Sequence, residues 1–400
     1  MPHSDISPLP CRELFSDLPP FPDNIPTAPL LRISLEKLLQ HDSEEEERCW
    51  KACCDLGFFY LDLHTSSPIS LDDKNRTASG ETLLQDADQL FEVMKGFYDL
   101  DIKEKIKYDF KDQGSYFGYK GYGEGFIDKQ GTRDRNEFYN ISKDDILGLS
   151  PPLPSPAVLN PHRALYKSYI HSSHAVCMLI ASLISLRLPL THESRAAGGL
   201  PALHNLRARS GDQIRFVKAP PQEPSLRGVA LGEHTDFGSV TVLFNRLGGL
   251  QVRLPPSIAP APARPSSSSS PPLAAASDVE RRLCEDGWAY VRPLPRHCIV
   301  NLGDALVKFS NGLLRSNIHR VVAPPGGQGG VTRYSLVYFC RPEDDVLLKG
   351  VVEGEEGEGK EVVTAKEWIL RRALGRRKVD GWAGSGGTEG VSMRGGGMRV

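Results

Sequence analysis

Neither sign of charge prevails in this sequence. Lysine and arginine total 48 against 50 aspartates and glutamates, a formal net charge of −2. A broad electrostatic grip on nucleic acid or anionic lipid is therefore not expected. Long apolar runs are missing too: the longest, Ala175 to Leu186, is interrupted by Ser182 and Ser185 and stops at Arg187. That is too short to span a bilayer and predicts a buried helix, so no membrane partner is expected. The opening residues, MPHSDISPLPCRELF, have no basic stretch leading into an apolar one. No secretory signal is visible, and a cytoplasmic location is expected. The eight cysteines, at 11, 49, 53, 54, 177, 284, 298 and 340, are scattered. They read as reduced thiols rather than a disulfide framework. Cys49, Cys53 and Cys54 share a helical spacing with Trp50 nearby, and no matching zinc partners occur elsewhere, so they read as packing thiols. No internal repeat is present.

What remains is ordinary globular composition, 40% apolar, 24% charged and 8% aromatic over 400 residues. Length alone allows two or three domains of roughly 150 residues each, or one large β domain with helical additions. The chain opens with a Pro-rich extended lead-in. LLRIS (30–34) and FFYLDL (58–63) read as strands around an acidic helix that closes at Gly57. Residues 81–107 place apolar side chains at three and four spacing, which predicts one amphipathic helix. The Gly- and aromatic-rich stretch 114–140 reads as an extended loop or hairpin, and Arg163 to Arg187 as a long helix. On that helix His171 and His174 lie three apart; with no carboxylate or Cys on the same face, they read as partly solvated. After about residue 205 come seven short β-branched segments: 214–220, 239–244, 249–254, 288–293, 298–303, 318–324 and 333–340. They predict a sandwich or barrel such as a jelly roll, interrupted by a Pro/Ser/Ala insertion at 255–277. TAKEWILRRALGRR (364–377) reads as a helix, and the last twenty residues as a flexible tail. The fold class expected is mainly β with a helical N-terminal part (α+β), on a double-stranded β-helix core.

One segment concentrates chemistry: Gly232-Glu233-His234-Thr235-Asp236-Phe237-Gly238. On extended backbone, residues two apart share a face, so His234 and Asp236 converge on one point. A third ligand is available in His319 of SNIHRVV. Two imidazoles and one carboxylate are the ligand set of non-haem Fe(II) oxygenases, and they leave positions open for an organic cosubstrate and O₂. Further on, Arg333 and Ser335 in RYS are also two apart in a strand. A buried guanidinium calls for an anion, and Arg-x-Ser suits a bidentate carboxylate grip with one added hydroxyl. Asn301, Asp304 and Asn311 read as turn residues. The aromatic loop Tyr116–Phe126 and Phe138 either line a substrate mouth or simply pack.

GEHTDFGSVTVLF followed by GGLQV, NLGDALVKFSNGLLRSNIHRVV and RYSLVYF together resemble the iron/2-oxoglutarate-dependent dioxygenase superfamily, in its isopenicillin N synthase-like group. CWKACCDLGFFYL, FYDLDIKEKIKY and GTRDRNEFYNI resemble that group's N-terminal region. The resemblance covers roughly residues 25 to 375. It implies iron ligands His234, Asp236 and His319 and a carboxylate-binding pair Arg333 and Ser335. Ala219 stands where many relatives have a tyrosine, and the gap from Asp236 to His319 becomes the usual one once 255–277 is set aside. The implied organisation is a lead-in (1–25), an N-terminal non-haem dioxygenase region (26–145), a helical connection (146–204), the jelly-roll domain (205–345), a C-terminal helix region (346–379) and a tail (380–400). The implied reaction is Fe(II)- and 2-oxoglutarate-dependent oxidation of a small-molecule metabolite with O₂, hydroxylating or desaturating it and releasing succinate and CO₂. Ascorbate would serve as a stimulant, a monomer is the default, and secondary metabolism is the setting. Two alternatives stay open: an iron oxidase of the isopenicillin N synthase type, whose Arg-x-Ser pair holds the substrate's own carboxylate, and an inactive jelly-roll binding protein.

Overall fold

β-Branched and aromatic residues bunched into short runs form strands wherever the sequence places them after residue 205, and four further strands precede them. The computed structural model describes residues 17–64, 79–258, 278–354, 362–375, 377 and 388. Its strands are β1 (Arg32–Ser34), β2 (Phe58–Asp62), β3 (Gly118–Lys120), β4 (Glu137–Ser142), β5 (Gln213–Ala219), β6 (Val229–His234), β7 (Val240–Asn245), β8 (Leu250–Arg253), β9 (Trp288–Tyr290), β10 (His297–Leu302), β11 (His319–Val322) and β12 (Arg333–Cys340). Eight join in one sheet in the order β1-β2-β10-β7-β12-β5-β4-β3, and four in another, β6-β11-β8-β9. The N-terminal strands thus extend both edges of the larger sheet: β1 and β2 beside β10, and the β3–β4 hairpin beside β5.

Alternation along the strands explains the layering. On β2, Phe59 and Leu61 face one cluster of the core, while Phe58 and Tyr60 face another. On β10, Cys298, Val300 and Leu302 face the first and Ile299 the second. The period of two sends neighbours to opposite faces, so a strand apolar at every position is covered on both sides. The first cluster lies under the helices Gly80–Tyr98 and Arg163–Arg187; the second joins the large sheet to Leu250 and Val252 of β8 and Ala289 of β9. Two sheets therefore face each other with helices outside the larger one. Among the described residues they form mixed sheets and not a closed barrel.

The helices follow the sequence expectation with one correction. The 81–107 pattern does not make one helix: Gly80–Tyr98 ends at Asp99, and the Asp101 carboxylate accepts from the Lys103 backbone N–H to start a separate short helix, Ile102–Lys105. A capping aspartate competes for the backbone and outweighs the continued apolar period. Arg163–Arg187 runs as expected. With the turn before it, that helix is long and apolar enough to cross a membrane, longer than its apolar run suggested. In this fold Tyr169, Ile170, Val176, Cys177, Ile180 and Ile184 are instead buried in the core. The described cysteines are free, with Cys49 and Cys53 packed in the core. The expectations for residues 1–16 of the lead-in, 259–277 of the insertion and, Thr388 apart, the tail fall outside the described residues.

Candidate metal centre

Strand pairing brings the distant histidines together. His234 ends β6 and His319 begins β11, directly opposite in an antiparallel ladder, with ring centroids 4.1 Å apart. His234 Nδ1 lies 2.8 Å from the Gly232 carbonyl and His319 Nδ1 lies 3.1 Å from the Asn317 carbonyl. A carbonyl only accepts, so each Nδ1 carries the hydrogen and each Nε2 keeps its lone pair. Asp236 lies just past β6, in a turn seated on the start of the helix Asp304–Phe309. Asp304 N donates to the Asp236 carbonyl (2.8 Å) and Ala305 N to the Gly238 carbonyl (3.0 Å). Only glycine fits at 303, because a Cβ there would stand 2.3 Å from the Gly238 carbonyl oxygen.

The Asp236 carboxylate is itself held from one side. Its Oδ2 accepts from Thr241 Oγ1 (2.6 Å) and Asn301 Nδ2 (2.7 Å), while Oδ1 lies 3.8 Å from His319 Nε2, beyond hydrogen-bond range. His234, Asp236 and His319 are all buried, and their ligand atoms lie within 4.8 Å of one another. Each has one atom tied to the protein and another toward its two companions. This mixed N/O donor set fits Fe(II), with open positions left over.

Arg333 and Ser335 form a second group, on β12 of the facing sheet. Arg333 Nε donates to the Gly248 carbonyl (2.7 Å), Nη1 to Ser335 Oγ (2.5 Å) and Nη2 to Asn245 Oδ1 (2.9 Å). Every acceptor is neutral, and among the described residues no carboxylate pairs with Arg333. Burial accordingly pulls this guanidinium down to about 10. A buried cation without a counter-charge is costly, and its planar fork beside a serine hydroxyl suits a carboxylate. The chain folds closely around it: Ala219 is its small neighbour across the β5–β12 ladder, and Gly249 has φ +103° with Arg333 Nε 3.2 Å from where a Cβ would be.

A cavity of about 980 Å³, open mouth included, reaches His234 and Asp236. Tyr116, Phe126 and Phe138 line it, so the aromatic loop does face the site. Arg215, Phe339 and Arg341 line it as well and were not marked by the sequence; neither Arg333 nor Ser335 is among its walls.

Three sequence expectations need correction. Asn301 is no turn residue but a holder of Asp236. Asp304 lies buried behind the motif, accepting from Thr235 Oγ1 (3.0 Å), Ser316 Oγ (2.8 Å) and Arg372 Nη2 (3.2 Å). Burial raises its carboxyl above the ordinary range, against the pull of Arg372. Asn311 alone keeps a turn role, with φ 50°. His174, expected to be partly solvated, is buried with its Nδ1 3.8 Å from Asp212 Oδ2 and Cys340 close by. Burial alone would lower His174 and raise Asp212, but Asp212 and Cys340 beside the imidazole, and His174 and Lys143 beside the carboxylate, outweigh it and reverse both shifts. The partners arrive from β12 and from the turn before β5, so the helix sequence alone gave no sign of them.

Residues 28–157 match the family described as the non-haem dioxygenase in morphine synthesis N-terminal, and 273–342 match the 2OG-Fe(II) oxygenase superfamily. The second match includes His319, Arg333 and Ser335; His234 and Asp236 precede it. A 2-oxoglutarate-dependent dioxygenase of Aspergillus fumigatus is 32% identical over 334 residues, 82% of this chain and 80% of the relative. The 2-oxoglutarate-dependent dioxygenase gloE of Glarea lozoyensis is 27% identical over 343 residues, 86% of each chain. Among solved structures, a full-length Neurospora crassa protein in complex with alpha-KG and 5-formyluracil superposes with a TM-score of 0.60 at 21% identity, covering 86% of this chain and 96% of that one. JOX2 in complex with 2OG, Fe and JA gives 0.59 at 20% identity, covering 97% and 98%. Ligand set, fold and relatives define a non-haem iron oxygenase. The chain belongs to the iron/2-oxoglutarate-dependent dioxygenase superfamily, which includes the isopenicillin N synthase-like group. It is an oxidoreductase whose cofactor is Fe(II) and whose cosubstrate is 2-oxoglutarate.

Proposed function

We propose that His234, Asp236 and His319 hold the ferrous ion, that Arg333 and Ser335 hold the distal carboxylate of 2-oxoglutarate, and that a small organic metabolite enters the cavity to be hydroxylated or desaturated, with release of succinate and CO₂. The facing sheets are read as the jelly-roll core that carries such a centre. One observation bears most of this reading: three buried ligand atoms within 4.8 Å of one another, in a chain that also keeps Arg333 buried without a carboxylate.

Bound iron with 2-oxoglutarate supplies the oxidising power to attack an unactivated C–H bond. The chain supplies the geometry. Gly232 and Asn317 carbonyls fix both imidazole tautomers so that Nε2 is the donor, and Thr241 with Asn301 turns Asp236 Oδ1 inward. Arg333, fixed by three hydrogen bonds, presents a charge that does not reorganise when the cosubstrate binds. The aromatic wall of the cavity excludes water from the reacting carbon. The Neurospora crassa neighbour was solved with 5-formyluracil and JOX2 with JA, which supports a small molecule as substrate here. A cytoplasmic monomer without nucleic-acid partners completes the reading.

Anaerobic titration of the apoprotein with Fe(II) in the presence of 2-oxoglutarate tests it. A weak visible charge-transfer band should develop at one equivalent, and admission of O₂ should release labelled CO₂ from 1-labelled 2-oxoglutarate. An iron-dependent uptake of O₂ without band or CO₂ would favour the oxidase type, and tight metal binding with neither would favour a non-catalytic binding protein.

A further inference from the structure

Four cationic side chains stand on the cavity wall: Lys120, Arg215, Arg341 and Arg377. Lys120 is bonded to Asp134, both buried, and Arg377 is paired with Asp109 (2.7 Å) and Glu124 (3.4 Å). Arg341 is different. It is 4% exposed and follows β12, and its Nη1 donates to the Gly211 carbonyl. Its Nε is buried with no hydrogen-bond partner. Among the described residues no carboxylate lies within ion-pair distance of its guanidinium. Asp212 accepts from the Arg341 backbone N–H (2.7 Å) and is otherwise occupied by Tyr338 and His174, while Glu343 accepts from the Asn205 backbone N–H and Asp344 pairs with Lys366.

The side chain is nonetheless firmly placed. A Cβ at Gly238, two residues past Asp236, would stand 2.7 Å from Arg341 Cγ, so the arginine stem lies across the metal-binding turn. Its guanidinium carbon sits 5.3 Å from the Tyr116 ring and 5.4 Å from the Phe339 ring. Phe339 also meets Arg215, whose guanidinium carbon is 5.0 Å from that ring and 4.2 Å from Phe138, and whose Nε donates to Asn140 Oδ1 (2.7 Å). Two guanidinium groups thus flank one aromatic ring on the wall of a cavity that ends at His234 and Asp236. Stacking on a ring fixes the plane of a guanidinium and leaves its edge to bind a planar anion in bidentate fashion.

We propose that Arg341, with Arg215 beside it across Phe339, is a second carboxylate site, and that the substrate is an organic acid with an apolar body. The acid end docks on Arg341, the body lies along Tyr116, Phe126 and Phe138, and the carbon to be oxidised reaches toward His234 and Asp236. The site is separate from Arg333, which keeps its own role toward 2-oxoglutarate, so two anions are bound at once. This inference rests on the function proposed above.

The test is calorimetric titration of the anaerobic Fe(II)·2-oxoglutarate protein with a panel of aromatic, alicyclic and straight-chain carboxylic acids, each paired with its primary amide. Saturating 2-oxoglutarate keeps the Arg333 site filled. At least one acid is expected to bind about tenfold or more tighter than its amide, as a charge-assisted contact requires. Arg341→Gln should abolish that preference, Arg341→Lys should keep part of it, and both should retain the charge-transfer band of the wild type. A panel in which no acid outbinds its amide, or an acid preference unchanged in Arg341→Gln, overturns the proposal. Loss of the charge-transfer band from wild-type protein would instead strike at the iron and 2-oxoglutarate assignment, so the two failures are distinguishable.

Discussion

Asn301 donates a 2.7 Å hydrogen bond to the Asp236 oxygen that faces away from the histidines. It does so from β10, a strand of the opposite sheet, and with Thr241 it holds Oδ2, which leaves Oδ1 for the metal in the proposed site. Asn301→Ala should therefore leave the fold intact and weaken Fe(II) binding by about 10–100-fold. Titration of the Fe(II)·2-oxoglutarate band gives the affinity, and circular dichroism checks the fold.

Arg333 makes the corresponding prediction for the cosubstrate. Arg333→Gln should raise the KM for 2-oxoglutarate by about 10–100-fold, the worth of a hydrogen bond to a charged group. The thermal stabilisation that 2-oxoglutarate gives the wild type should disappear with it. Fe(II) binding by the three ligands should be unaffected, which separates this effect from that of Asn301→Ala.

Gly303 tests how the motif is seated. Alanine there drives a Cβ into the Gly238 carbonyl and within 3.0 Å of the Asp236 carbonyl oxygen. The turn must shift, so Gly303→Ala should destabilise the protein by about 1–3 kcal/mol, as overpacking does elsewhere. It should also lower Fe(II) affinity, read by denaturant unfolding and by the same titration.

The candidate metal ligands and Arg333-Ser335 were legible in the sequence because His234 and Asp236, like Arg333 and Ser335, lie two apart and the flanking motifs resemble a known family, although Asp236 falls in the turn just past β6. Asn301, Thr241 and Asn245 were not. An asparagine near a strand end gives no local signal, and its partner is supplied by a different strand. His174 misled for the same reason, since its helix face shows neither Asp212 nor Cys340. Arg215 and Arg341 were not marked by the sequence; only the folded chain shows them on the cavity wall beside Phe138 and Phe339. In the fold, seven of the eight strands after residue 205 followed from composition; β6, which ends at His234, was not among them. What periodicity did not reveal was that β1 to β4 extend the same sheet from both edges, because pairing across such distances is set by the assembled core.

His204 makes the protein acid-sensitive. Its Nδ1 donates to the Leu200 carbonyl (2.7 Å) and its Nε2 accepts from Ser239 Oγ (2.6 Å), which satisfies the neutral ring completely. Burial lowers it from 6.5 to about 4. The unfolded chain therefore takes up this proton at a higher pH than the folded one. The neutral histidine's contribution is fully present above pH 6.5 and is lost as pH falls toward 4, about 3 kcal/mol in all. Urea unfolding across that range should show the fall, and His204→Gln should reduce it.

The most direct measurement is anomalous diffraction at the iron absorption edge from crystals grown anaerobically with Fe(II) and 2-oxoglutarate. The account predicts one iron peak, bonded to Nε2 of His234 and His319 and to an oxygen of Asp236, with the cosubstrate's far carboxylate on Arg333. Iron lodged instead among His174, Asp212 and Cys340, or coordinated without His319, would contradict it.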